Sequence, residues 1–168
     1  MGSHFHKYMT QGKGSLQDEN AVIRPAAVSD AGKVRSIAQA AYAVYVPRMD
    51  RKPFPMLDDY ESHIRKGNLI VLEINGEVQG FAVLLPADPV TLLLDNVAVS
   101  PACQGRGFGR LLIEYAQKAA RERGCTQIIL YTNQAMTENQ TLYPYLGFAE
   151  SRRVTEKGYQ RIYYVKHL

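Results

Sequence analysis

Val99-Ser100-Pro101-Ala102-Cys103-Gln104-Gly105-Arg106-Gly107-Phe108-Gly109-Arg110 decides how this chain is read. The stretch follows a nearly continuous apolar run, Thr91–Val99, of the kind that makes a central strand buried on both faces. It leads into the clearest helical pattern in the sequence. There Phe108, Leu111, Leu112, Tyr115, Ala116 and Ala119 recur on one face at the 3.6-residue period. Glu114 with Lys118, and Lys118 with Glu122, are spaced to pair on the other face. Glycines at alternate positions let the backbone approach a ligand closely, and the first amides of a helix have no acceptor within it. Such a loop favours an anion, helped by the helix dipole and by Arg106 and Arg110. A pyrophosphate is the natural guest.

Two familiar phosphate loops do not fit. A dinucleotide fingerprint, Gly-x-Gly-x-x-Gly, begun at Gly105 and Gly107 would need a glycine where Arg110 stands. It would also need an acid at the end of the next strand, where the chain has Thr132, Asn133 and Gln134. A Gly-Lys-Ser/Thr loop is absent, and Gly12-Lys13-Gly14-Ser15 neither matches it nor follows a strand. What remains is Gln104-x-x-Gly107-x-Gly109, preceded by Val97, Val99 and Pro101.

Upstream, Ala21–Arg24 reads as a strand closed by Pro25, and Ser29 is placed to cap a helix through Ala31–Tyr45. Val34, Ile37, Ala38, Ala41 and Tyr45 share one face of that helix. Pro47, Pro53 and Pro55 predict an extended loop, and Asp58–Lys66 a second helix ended by Gly67. Leu69–Ile74, the turn Asn75-Gly76 and Val78–Leu85 spell a hairpin. Downstream, Gly124 ends the long helix and Gln127–Tyr131 is another strand. Thr137 and Gln140 have the spacing of a capping box for a short last helix. Pro144 should kink that helix, and Phe148–Val154 with Tyr159–Lys166 predict a closing hairpin. The order implies one α/β domain over residues 21–168, a mixed sheet with helices on both faces. Residues 1–20 show no hydrophobic period and read as a disordered leader or an appended tail.

The glycine loop resembles the acetyl-CoA-binding motif of the GNAT family of N-acetyltransferases. Leu142-Tyr143-Pro144-Tyr145-Leu146-Gly147-Phe148 is similar to that family's Tyr-x-x-x-Gly-Phe segment, with Thr137-Glu138-Asn139 before it. The likeness spans about Ala21 to Leu168. It implies a GNAT-type fold, with a mixed, mostly antiparallel, twisted sheet of about six to seven strands. It also implies transfer of an acetyl group from acetyl-CoA to a primary amine by direct attack in a ternary complex. Carried over residue by residue, it assigns the backbone of Val97, Ala98 and Val99 to the pantetheine arm. The amides of Gln104, Gly105, Arg106, Gly107, Phe108, Gly109 and Arg110 would hold the pyrophosphate. Asn139 and Tyr143 would lie beside the sulfur, Tyr143 as the acid that protects the leaving thiolate. The position where some members carry a basic Glu is Leu93 here. Asp95, two residues on, is the candidate base, directly or through water, and Glu73 a weaker one. Tyr42, Tyr45, Phe54 and Met56 would sit over the acceptor pocket, where core packing is the alternative. Asp58 and Asp59 could attract an amine or simply begin a helix.

Composition narrows the rest. The 168 residues are 46% hydrophobic and 21% charged, as in ordinary globular domains. No apolar run approaches the ~20 residues of a membrane span, and residues 1–20 contain no signal-peptide core. Net charge is +4 with a pI near 9.1, yet no basic stripe suited to nucleic acid appears. Cys103 and Cys125 make neither a disulfide framework nor a zinc spacing, and His4, His6, His63 and His167 are scattered, so no metal is expected. The expectations are a cytoplasmic enzyme, a small-molecule amine as partner, no nucleic acid or membrane, and a homodimer as one assembly. Two alternatives stay open: a non-catalytic acyl-CoA-binding sensor, and acetylation of a protein Lys or N-terminus.

Overall fold

The apolar run Thr91–Val99 becomes the central strand of a seven-stranded sheet, as burial on both faces demands. The computed structural model describes residues 20–168, so the expected leader lies, apart from Asn20, outside the described residues. In chain order the elements are β1 (Ala21–Pro25), α1 (Ala31–Tyr42), α2 (Tyr60–Arg65), β2 (Leu69–Ile74), β3 (Glu77–Asp88) and β4 (Thr91–Val99). Then follow α3 (Phe108–Glu122), β5 (Gln127–Asn133), α4 (Asn139–Tyr145), β6 (Ala149–Glu156) and β7 (Tyr159–His167). The strands lie in the order β1-β2-β3-β4-β5-β7-β6, and β4 with β5 is the parallel pair in an otherwise antiparallel sheet. α1 and α2 cover one face, over Leu69, Val71, Phe81, Val83 and Ala98. α3 and α4 cover the other, over Leu92, Leu94, Val97, Val99, Ile128 and Leu130. No helix among the described residues is long and apolar enough to cross a membrane.

One irregularity governs the site. β3 pairs Val83 with Asn96 but Leu84 with Leu94, which leaves Asp95 as the extra residue of a β-bulge. The bulge reverses the alternation: Leu92 and Leu94 face the α3 side before it, Val97 and Val99 after it. At the same point the β4–β5 ladder stops, its last pair being Leu94 with Leu130.

Several local expectations are corrected. α1 ends at Tyr42, and Ala43–Arg48 tightens into a 3-10 turn containing Pro47, so Tyr45 lies beyond the helix. The proline-rich stretch is likewise a second 3-10 turn, Phe54–Met56. Ser29 does not cap α1; Asp30 fastens that corner, accepting from the Ala27 amide at 2.7 Å and pairing with Arg24 at 2.8 Å. Thr137 and Gln140 form no capping box, because Gln140 donates to the Gln134 carbonyl. Pro144 falls in the last turn of α4 and ends it rather than kinking it: Gly147, at φ 91°, bonds back to the Pro144 carbonyl. The buried face of α3 runs through Phe108, Leu112, Ile113, Ala116 and Ala120, with Leu111, Tyr115 and Ala119 at its margin. Its exposed pairs are Arg110–Glu114 and Lys118–Glu122.

A buried polar chain ties the α1–α2 layer to β4. Tyr42 donates to Asn96 Oδ1 at 2.6 Å, Asn96 Nδ2 donates to the Tyr60 hydroxyl at 2.9 Å, and Tyr60 donates to the Pro55 carbonyl. Tyr42→Phe removes the donor to Asn96 and leaves a buried acceptor unpaired. It should cost about 1–3 kcal/mol in urea unfolding, with far-ultraviolet dichroism unchanged.

Candidate active site

Beyond Leu94 and Leu130 the two central strands separate while each runs on, β4 to Val99 and β5 to Asn133. Val97, Ala98 and Val99 still pair with β3 through Ala82, Phe81 and Gly80, so their other edge faces the gap. Two of their carbonyls already accept: that of Val99 from Gln104 Nε2 at 3.1 Å, that of Val97 from Tyr42 at 3.4 Å. At the far end of the gap, Pro101–Cys103 makes a 3-10 turn that sets Gly105 and Gly107 at φ 77° and 105°. Both angles belong to the left-handed region that glycine enters without strain. Gly107 caps the fifteen-residue α3, so the first amides of that helix point back toward the gap. Arg106 lies over the Phe108 ring at 5.3 Å, and Arg110 pairs with Glu114 on the exposed face. The cradle suits a pyrophosphate.

α4 closes the gap on its other side. Asn139 is fully buried and donates to the Thr132 hydroxyl at 2.9 Å. Tyr143, also fully buried, packs on Phe148 and Tyr164 with ring centroids 6.1 and 5.5 Å away. Burial holds its phenol proton far above the usual range, and nearby Tyr45 and Tyr164 add to this.

At the near end of the gap the bulge turns Asp95 into a narrow pocket, where it meets Phe54, Tyr131, Tyr159 and Arg161. Tyr131 donates to Asp95 Oδ1 at 2.8 Å. Desolvation nevertheless dominates, and the Asp95 carboxyl sits above the ordinary carboxylate range, with Asp58 pushing the same way. Asp58, His63 and Asp95 bring their ligand atoms within 4.8 Å of one another, and His63 Nε2 shares a 2.9 Å hydrogen bond with Asp58 Oδ2.

The stretch between α1 and α2 roofs the pocket and is fastened on several sides. Arg48 grips Glu138 at 2.7 and 2.9 Å, Tyr159 donates to the Lys52 carbonyl at 2.6 Å, and Gln39 Nε2 reaches the Met56 carbonyl at 2.6 Å. Of the four residues expected over an acceptor, Phe54 lines this pocket. Tyr42 and Tyr45 are sealed in the core, and Met56 packs against it. Glu73 is removed from the site: it lies on β2 and binds Arg24 at 2.8 Å. Asp59 caps α2 through the Ser62 amide.

Sequence reading missed Tyr131, Arg161 and His63. A signal for Tyr131 was present, since Gln127, Ile129, Tyr131 and Asn133 form the half-exposed side of β5. Arg161, a lone charge inside the apolar run Tyr159–Val165, carried one too. Nothing in the order of residues linked His63 to β4.

The sequence matches the acetyltransferase (GNAT) family over residues 33–148. It is 29% identical over 139 residues to the uncharacterized N-acetyltransferase YjgM of Escherichia coli (strain K12), covering 80% of this chain and 78% of that protein. It is also 29% identical over 94 residues to the uncharacterized N-acetyltransferase YvbK of Bacillus subtilis (strain 168), covering 56% of this chain and 61% of YvbK. Against that relative the chain spans less than two thirds of its length. Among solved structures, the PaiA N-acetyltransferase of Thermoplasma acidophilum in complex with coenzyme A superposes with a TM-score of 0.75 at 13% identity, covering 89% of this chain and 99% of that one. YncA of Salmonella typhimurium, a putative acetyltransferase with its cofactor acetyl-CoA, gives 0.67 at 22% identity over 89% of this chain and 94% of that one. With the family match covering most of the length, and the split sheet and glycine-capped helix in place, the chain belongs to the GNAT acetyltransferase family.

Proposed function

We propose that residues 21–168 form one catalytic domain that transfers an acetyl group from acetyl-CoA to a primary amine of a small molecule. One observation carries the reading: the gap between β4 and β5 has an anion cradle at one end and a desolvated carboxylate at the other. The likeness to proteins solved with coenzyme A or acetyl-CoA supports the choice of cofactor. The fastened roof over the pocket favours a small acceptor over a protein segment. Two free cysteines, Cys103 and Cys125, agree with a reducing, cytoplasmic setting.

Acetyl-CoA supplies the thioester carbonyl that an amine attacks and the thiolate that leaves. The α3 amides and the left-handed glycines hold the pyrophosphate, and the free edge of Val97–Val99 orients the pantetheine arm. Asp95 then accepts the proton that the ammonium must lose. The step matters because an amine of pKa ~10.4 is only ~0.04% neutral at pH 7. A carboxyl raised by burial is a stronger base than one in water. Tyr143, which stays protonated at working pH, donates to the departing sulfur.

Thiol release measured across a panel of amines tests the reading; binding of acetyl-CoA with no release from any amine would mark a sensor module. Gly107→Ala forces a Cβ into the left-handed region, a strain of roughly 1–2 kcal/mol. It should weaken acetyl-CoA binding in calorimetry at least ~10-fold, and an unchanged titration would detach the loop from the pyrophosphate. Tyr143→Phe should lower kcat at least ~10-fold while the Kd for acetyl-CoA holds. A lower melting temperature with unchanged kcat would make the hydroxyl structural.

Asp95→Asn should lower kcat about 100-fold or more and abolish the limb of the pH profile that follows carboxylate ionisation. Its stability should move the other way. A carboxyl raised in the folded state costs nothing below the unfolded value of ~3.9, and its cost grows until the pH passes the folded value. The variant should therefore melt higher than the parent at pH 8, with the gain vanishing near pH 4.

A further inference from the structure

Arg161 is the charged group of the pocket to which acetyl transfer assigns no task. It stands on β7 with its side chain 8% exposed, and its guanidinium lies on the Tyr131 ring at 4.3 Å. Nη1 donates to Glu156 Oε2 at 3.1 Å, the same oxygen that accepts from the Tyr163 hydroxyl at 2.7 Å. That is its hydrogen bond to protein among the described residues, and the side chain lines the pocket. Burying a guanidinium is costly; the carboxylate shared with Tyr163 and the rings of Tyr131, Tyr159 and Phe54, at 4.3, 5.7 and 5.8 Å, offset that cost in part. The planar fork is also the side chain best shaped to take a carboxylate through two parallel hydrogen bonds.

The opposite charge in the same pocket is Asp95. Tyr131 stands between the two, its hydroxyl on Asp95 and its ring face on Arg161, so one aromatic ring sets their separation. Arg161 pairs with Glu156 rather than with Asp95, which leaves the acid and the cation facing the space between them. Around the mouth the charge is positive: Lys157 lies over the Phe54 ring at 4.8 Å, and Arg51 over Tyr159 at 5.5 Å.

We infer that the acceptor is an amine that also carries a carboxylate, with its ammonium at Asp95, its carboxylate on Arg161 and its side chain under Phe54 and Tyr159. The inference rests on the acetyltransferase reading and deepens it. A blocked lysine of a protein offers no free carboxylate to Arg161, so free amino acids and their ω-amino relatives are the chemical class that satisfies both ends. The transfer itself forms an N–C bond to the acetyl carbon and breaks the C–S bond. One ammonium proton goes to Asp95, the thiolate takes a proton from Tyr143, and the second proton that the nitrogen sheds on becoming an amide replaces the one Tyr143 gave.

The test is thiol release from acetyl-CoA by the full chain with matched pairs: glycine, β-alanine, L-leucine and L-phenylalanine, each against its decarboxylated amine. The methyl esters of leucine and phenylalanine are added, since they keep the shape and lose the charge. At least one acid should exceed its amine and ester by about 100-fold in kcat/KM, the difference lying mainly in KM, because a site built for a charged partner strongly rejects analogues lacking it. Arg161→Gln should collapse that ratio to a few-fold, and Arg161→Lys should keep part of it. Equal rates for acids, amines and esters overturn the inference and leave the acetyltransferase reading standing, as does a ratio that survives in a folded Arg161→Gln. If that variant does not fold, the ester comparison on the unaltered chain decides. Silence with every amine fails the acetyltransferase reading and takes this inference with it.

Discussion

The structure depends on the parting of β4 from β5 after Leu94 and Leu130. Parallel strands in a sheet gain by staying paired, so a gap opening in mid-sheet needs a cause. The cause here is the bulge at Asp95, which adds a residue to β4 against β3 and bends it away from β5. The backbone groups thus left without a ladder lie beside the first turn of α3, whose amides are also unsatisfied by the helix itself. Unfilled hydrogen-bonding capacity on both sides of one cleft is what a polar, extended ligand requires.

Opening a sheet costs stability, and the surroundings show where it is recovered. The two faces are covered by separate apolar layers that meet only through the sheet. Around the split, Tyr42, Asn96 and Tyr60 bond one another on one side, and Asn139 donates to Thr132 on the other. These contacts hold the walls of the cleft rigid while the bulged residue stays mostly buried. Asp95 is the exception to this economy. It is burdened by burial and, among the described residues, hydrogen-bonded to the Tyr131 hydroxyl, the state that the proposed proton acceptor requires.

The second charge in the pocket follows the same pattern. Arg161 and Asp95 are each satisfied in part, by Glu156 and by Tyr131, and each keeps capacity toward the same space. A fold selected for stability alone would pair them with each other or replace both by apolar groups. Their partial satisfaction, under a roof pinned by Arg48 and Tyr159, is the observation on which the proposed class of acceptor rests.

The strand–loop–helix unit was legible in the sequence because its signals are local. A two-face apolar run, alternate glycines and a 3.6-residue stripe each act within a few residues, and Asn75-Gly76 marks its hairpin turn in the same way. Asp95 was reached through the family likeness, as the carboxylate two residues beyond Leu93. The finer caps were less legible: Ser29 and Thr137 have the right residue types, but Asp30 is drawn to Arg24 and Gln140 to Gln134. Local propensity yields wherever a distant partner offers a better bond. By itself, then, the sequence determined the order of elements, the glycine-capped helix start and the family likeness, all properties of neighbours along the chain. Only the tertiary structure decided that Tyr42 and Tyr45 are core, that Glu73 belongs to Arg24, that Asp95 shares a pocket with Tyr131 and Arg161, and that His63 lies beside it. Those juxtapositions depend on a one-residue change of register and on strands brought together from distant parts of the chain, and no pattern of adjacent residues encodes either.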